Sequence, residues 1–216
     1  MAVSWEDATA FAAWVDHMLR EKGALKDGEQ VRLPGEPEWE RAATYPVALS
    51  ASDNGASRRE YPWGAWPTEA APLSRADRPA EPTPLSRRSG RGVGGEGHPT
   101  GIPANISESG IDGTSVAGIF PYGAAACGAE DMAGNVCEWC STPYIRYQEI
   151  ERQGGVEPET LYTLSKKGGG RTYVRRGGSW HGGRSLARCA CHGDGGDPDD
   201  FDDLLGLRLA RLFSCT

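Results

Sequence analysis

The 216-residue sequence has no run approaching the eighteen or more apolar residues of a membrane span, and its first residues show no basic stretch followed by an apolar one. It reads as a chain without a membrane span or signal peptide, cytoplasmic as encoded. Basic side chains are in the minority, 23 against 30 acidic, giving a formal net charge of -7. Nucleic acid is a poor partner for that balance. Histidine is scarce: His17, His98, His181 and His192 form no HxxH or HxxxH pair. Only Cys137 and Cys140, of six cysteines, have CxxC-like spacing, so a four-thiolate zinc site lacks its second half. The thiols are expected to be reduced.

Glycine and proline are abundant. Thirty and fifteen of them make up about a fifth of the chain, against a usual share of roughly 12%. That density breaks helices repeatedly and excludes an all-helical bundle. Seven tryptophans nevertheless need somewhere to pack. The composition describes a loop-rich globular domain held by a few large aromatic anchors.

Residues 4 to 22 carry the clearest helix. Ser4 can cap it, with Asp7 three residues on, and Ala8, Phe11, Ala12, Val15, Met18 and Leu19 recur at helical spacing as the expected buried face before Gly23 ends the run. A second helix is predicted from near Gly35 through Trp39 to Ala43, with Pro37 in its first turn. From Pro46 to about Gly101 apolar spacing dissolves, and about 68–100 reads as a flexible insertion. Short apolar pieces at 115–120, 135–139, 172–180 and 205–213 are predicted strands. Both helices precede all of these, which argues against an alternating parallel sheet.

Five stretches then carry a resemblance: VSWEDATAFAAWV at 3–15, RLPGEPEWERAA at 32–43, YPWG at 61–64, EDMAGNVCEW at 130–139, and the C-terminal RRGGSW, ARCA and LGLRLA blocks. In this order they resemble the formylglycine-generating enzyme family, also called the sulfatase-modifying factor family. The resemblance implies an α+β, C-type lectin-like fold: two helices on small twisted antiparallel sheets with much irregular backbone. It implies one domain over residues 1–216. Several dozen residues that relatives carry before the first helix have no counterpart here.

The copper-using members of that family act through a cysteine pair just after the GGS-aromatic motif. Here that stretch reads GGSWHGGRSLARCA, and positions 181–187 hold no cysteine. Other members are iron-dependent sulfoxide synthases, whose histidine-rich site comes from an additional helical domain. The same family contains variable proteins of diversity-generating retroelements, and residues 177–210 resemble their variable region. On that likeness the expected function is a non-enzymatic, receptor-like protein. Its ligand surface would comprise Trp180, His181, Gly182, Arg184, His192, Asp194, Phe201, Asp202 and Leu204. Arg184 and Phe201 stand out as anchors. Its partner would be a protein or a small molecule, and the chain itself a monomer or weak dimer. The alternative is an oxidoreductase of the same family acting on an unidentified substrate. The resemblance also implies a structural Ca2+ held by the Asp131 side chain, the carbonyls of Gly134 and Val136, and Glu138, hard oxygen ligands of the kind calcium takes. Against this, Glu138 would pair with an arginine such as Arg176.

Overall fold

The computed structural model describes residues 2–45, 59–67, 101–145, 172–193 and 195–213, the Phe213 side chain excepted. The insertion expected at 68–100, His98, Asp194 and Cys215 lie outside the described residues. Two compact units make up the chain. One comprises Met1–Glu36, Cys137–Arg176 and His192–Thr216, the other Pro37–Val136 and Gly177–Cys191. The architecture is α+β, with two helices and small, irregular, mixed sheets. No described helix is long and apolar enough to cross a membrane.

The first unit holds α1 (Trp5–Glu21) and the five strands found among the described residues. Ser4 caps α1, its Oγ accepting the Asp7 N–H at 3.0 Å, and the Pro198 carbonyl accepts from Trp5 N. Two donors that a helix start leaves unpaired are thereby satisfied. Glu6 and Asp7 sit in the first turn and Arg20 in the last, each favourable to the helix dipole. Gly23, at φ +63, turns the chain out, with Ala24 N donating to Leu19 O.

The buried face of α1 is narrower than its periodicity predicts. Ala8 and Ala12 are buried, but Phe11 is 45% exposed and Trp14 57%. Phe11 is therefore no core residue; its ring meets Trp14 with centroids 5.8 Å apart. What fastens the helix to β1 (Glu29–Arg32) is polar. The Asp16 carboxylate binds Arg20 Nε at 2.6 Å and accepts the Val31 N–H at 2.7 Å, while Arg20 Nη2 donates to Glu29 O at 2.6 Å. These donors hold the Asp16 carboxyl below its ordinary range, the Arg20 bond foremost.

β1 lies between the two helices, so the expectation that both helices precede every strand fails. Four residues are too few to show a period. β1 pairs antiparallel with β5 (Ala210–Phe213), Glu29 opposite Phe213 and Arg32 opposite Ala210. The second sheet has the order β3 (Tyr173–Arg176), β2 (Cys137–Pro143), β4 (Leu205–Leu207). β2 and β3 are antiparallel, with Glu138 opposite Arg176, whereas β2 and β4 are parallel. The piece at 205–213 is thus two strands in two sheets. The chain leaves the first at Arg208, whose guanidinium clasps Glu138 with Nη2–Oε1 at 2.7 Å and Nε–Oε2 at 2.9 Å.

Trp139 centres this unit. It is fully buried among Ala8, Leu33, Tyr173 and Leu205, and its Nε1 donates to Val3 O at 2.9 Å. Cys137 packs on the same cluster, as alternation around Glu138 predicts. Trp5 stacks on Tyr173 at 3.6 Å and donates through Nε1 to Cys140 O. None of the five described cysteines is in a disulfide.

The second unit is mostly irregular. Most of α2 (Glu36–Thr44) belongs to it, burying Trp39, Ala43 and Thr44, with Pro37 in the first turn as expected. Two 3-10 turns follow, Ser107–Ser109 and Pro121–Gly123. Residues 115–120 form no strand, because side chains take the backbone bonds a ladder would need. Ser115 N donates to Asn135 Oδ1 and Gly118 N to Asp131 Oδ2. Gly118 sits at φ +81, and Val116 and Ile119 face solvent. A cluster of Tyr61, Ala104, Ile106, Ala133 and Ala187 is the apolar centre, with Trp63, Trp66 and Ile102 packed on it.

Candidate functional site

In the second unit, aromatic and charged side chains gather beside the turn at 182–188. Leu186 N donates to Gly183 O and Ala187 N to Arg184 O, which fixes that turn, and Ser107 N binds Gly182 O. Tyr61 and Trp63 stack at 5.2 Å, and Trp66 meets both edge-on at 5.1 and 5.9 Å. These separations fall in the favourable range for aromatic pairs. The Arg184 guanidinium carbon lies 5.9 Å from the Trp66 ring centroid, within cation–π reach. Its backbone N–H donates to Glu108 Oε1 at 3.0 Å, and Ser107 Oγ is bonded to Glu108 Oε2 at 3.0 Å. Burial by itself would raise the Glu108 carboxyl, but backbone N–H donors, Arg184's first, and the Ser107 hydroxyl hold it below its ordinary value. It is therefore ionised near neutrality. Burial pushes the Tyr61 hydroxyl up, Glu60 adding to it and Arg188 and Arg184 opposing. Tyr61 stays a neutral phenol.

The structure distributes the residues expected to form one ligand surface between the two units. Trp180, His181, Gly182 and Arg184 belong to the second, His192, Phe201, Asp202 and Leu204 to the first. Trp180 is half-buried, its N–H donating to Asn135 O, and His181 is exposed, its ring perpendicular to the Trp180 indole at 5.6 Å. His192 bridges Arg176, its ring 5.6 Å from Tyr144. Phe201 is 72% exposed; Asp202 Oδ1 accepts from Leu204 N, and Leu204 O accepts from Cys137 N. Asp194 lies outside the described residues.

Of the expected calcium ligands, Asp131 Oδ2 already accepts the Gly118 N–H at 2.7 Å. Both Glu138 oxygens are held by Arg208, and the residue is 4% exposed. The partner is thus Arg208, while Arg176, its cross-strand neighbour, has Glu36 Oε1 at 3.5 Å. A cation on Glu138 would have to displace Arg208 from both carboxylate oxygens. Trp66, Glu108 and Arg188 were not foreseen. The PWGAWP aromatic density at 62–67 was the available signal for the first.

A family model described as the sulfatase-modifying factor enzyme 1-like domain matches residues 1–213. The chain belongs to that family. Hercynine oxygenase of Mycobacterium tuberculosis is 32% identical over 179 residues, 82% of this chain and 28% of that protein. The hercynine oxygenase of Mycolicibacterium thermoresistibile is 31% identical over 189 residues, with the same coverage. The chain thus spans under a third of the length of these curated relatives. Among solved structures, PvdO from Pseudomonas aeruginosa superimposes with a TM-score of 0.54 at 21% identity, covering 97% of this chain and 60% of that one. The Treponema denticola variable protein 1 also gives 0.54, at 17% identity, covering 96% and 68%. At such identities the likeness carries the fold alone, so membership is of this enzyme-like family and not specifically of its retroelement variable proteins.

The kinship with oxygenases overturns the expectation of a non-enzymatic, receptor-like ligand-binding protein. That expectation rested on the missing cysteine pair after GGSW. The gap argues against one copper-thiolate chemistry; it does not speak to other enzymes of the sulfatase-modifying factor family. The described residues do not by themselves assemble an iron site. Among the described residues no three of His, Cys, Asp and Glu gather to hold a metal. His17 is exposed beside Glu21 on α1, and His181 and His192 belong to different units.

Proposed function

We propose that this chain is the sulfatase-modifying-factor-type domain of an oxidoreductase, an oxygenase acting on a small amino-acid-derived molecule such as the hercynine in its relatives' name. The observation that carries this is the repeated match to hercynine oxygenases at 30–32% identity across 82% of the chain. The aromatic and arginine cluster of the second unit supports it, since flat rings and a fixed guanidinium suit a small planar substrate. In this reading these side chains bind and orient the substrate. Oxygen uptake by the purified protein, with hercynine, a cysteine-containing thiol and Fe(II) supplied in solution, is the test. Uptake that requires hercynine is expected. Uptake indifferent to hercynine, or none at all, overturns the reading.

A structural Ca2+ is a companion proposal, narrowed to the Asp131 carboxylate and the carbonyls of Gly134 and Val136, since Glu138 is committed to Arg208. Thermal melting in Ca2+ should exceed melting in chelator by several degrees, because a ligand bound only to the folded state stabilises it. Coincident curves would sink it.

A further inference from the structure

In a chain of net charge -7, the outward side of the turn at 182–188 presents two exposed arginines, Arg184 and Arg188. Each is tethered. Arg188 Nε donates to Ser185 O at 3.2 Å, and the Arg184 guanidinium lies over Trp66 with its backbone fixed by Glu108. Among the described residues the Arg184 guanidinium has no carboxylate or carbonyl partner. Stacking on a ring spares much of the rotamer entropy that binding would otherwise cost, and leaves the planar fork of donors available. Trp66 is immobilised in turn by Tyr61 and Trp63. Among the described residues the buried Trp63 Nε1 has no acceptor.

We infer that Arg184, with Arg188 beside it and Trp66 beneath, is a recognition site for a carboxylate carried on a planar or apolar body. The guanidinium fork matches a carboxylate in two parallel hydrogen bonds, and the indole faces cover the rest of the ligand. The charges nearby select the kind of anion. Glu60 and Glu108 both act on Tyr61 together with the two arginines. The two carboxylates offset the two arginines, which reduces the electrostatic advantage a dianionic phosphate would have over a monoanion. The site deepens the oxidoreductase reading and rests on it for the claim that the bound acid is the substrate.

Tryptophan fluorescence and calorimetric titration with hercynine and with indole-3-acetate, each beside its carboxamide, test the site. Saturable binding of at least one acid is expected, with its amide at least about tenfold weaker, as loss of a charge-assisted pair implies. Arg184→Ala should weaken the acid by roughly 10- to 100-fold, by the same measure, while lowering the melting temperature only slightly, because the exposed side chain gives up no more than its contact with Trp66. Equal binding of acid and amide, unaltered affinity in Arg184→Ala, or no saturable binding of either acid at millimolar concentration overturns the site. Tighter binding of inorganic phosphate at Arg184 overturns the carboxylate assignment. The two proposals fail separately. Binding lost in Arg184→Ala without oxygen uptake by the wild type removes the reaction and keeps the site. Hercynine-dependent uptake with an unchanged KM in Arg184→Ala does the reverse.

Discussion

Gly134→Ala is expected to destabilise the protein by roughly 2–5 kcal/mol. Gly134 sits at φ +78, where an L side chain costs about 1–2 kcal/mol. An alanine Cβ there would also drive into the backbone carbonyl oxygen of Asn105, with Ile106 Cγ2 at 3.0 Å behind it. Neither neighbour can swing aside. The Asn105 carbonyl accepts from Asn135 N, Gly134 N donates to Gly177 O, and Trp180 N donates to Asn135 O. The Asn105 amide is itself spent on Gly113 O and on the Ser109 hydroxyl. Overpacking such a site adds roughly 1–3 kcal/mol to the conformational strain. The sum is a large part of the ~5–15 kcal/mol that holds a protein folded. Gly128→Ala separates the two costs: Gly128 has φ +86 but nothing within 4 Å of its would-be Cβ. Denaturant unfolding should show the strain alone at 128 and the larger loss at 134. Equal losses at both positions would refute the steric part.

The second large effect concerns Trp139 and Gly196. Trp139 is 0% exposed, with Arg175 over its ring at 5.5 Å. Trp139→Ala should cost about 3–5 kcal/mol, as for other buried aromatics. Gly196 pairs with Tyr173 through two hydrogen bonds and lies against the far edge of the indole, where a Cβ would come within 2.5 Å of Trp139 Cη2. Gly196→Ala is therefore destabilising in the wild type. In a Trp139→Leu background, where that edge is gone, it should cost at least about 1 kcal/mol less, the coupling expected of residues in contact. Chemical denaturation of the four proteins measures it, and strict additivity would show that the two do not touch.

Gly196 also marks where sequence reasoning stopped. The likeness to a variable region makes residues 177–210 read as one replaceable surface. In the structure Gly196, Ala187, Cys189 and Leu205 are buried. A buried glycine demanded by a distant indole is indistinguishable, in a single sequence, from a glycine that merely fills a loop. The helices were legible because their signals are local: Ser4 with Asp7, Gly23, and Pro37 in a first turn. Strand pairing was not, because its partners are remote: Leu205 meets Cys137, 68 residues away, and Ala210 meets Arg32, 178 residues away. Phe11 failed for a related reason. Helical spacing gives a stripe, but only the partner surface decides its width, and here Ala8 and Ala12 fill it. At the candidate site Arg184 was legible as an anchor. Its platform Trp66 and its tether Glu108 come from remote segments that nothing local connects to it.

The pairing of β1 with β5 has a consequence during synthesis. Val31 acquires its antiparallel neighbour only when Arg211 exists. At ~5–20 residues per second, the stretch between them takes about 10–40 s to translate. Through that interval the nascent N-terminal segment carries an unsatisfied strand edge, the kind of template on which other chains aggregate. This protein should therefore depend on holding chaperones while it is made, and slower translation should lower its soluble yield rather than raise it.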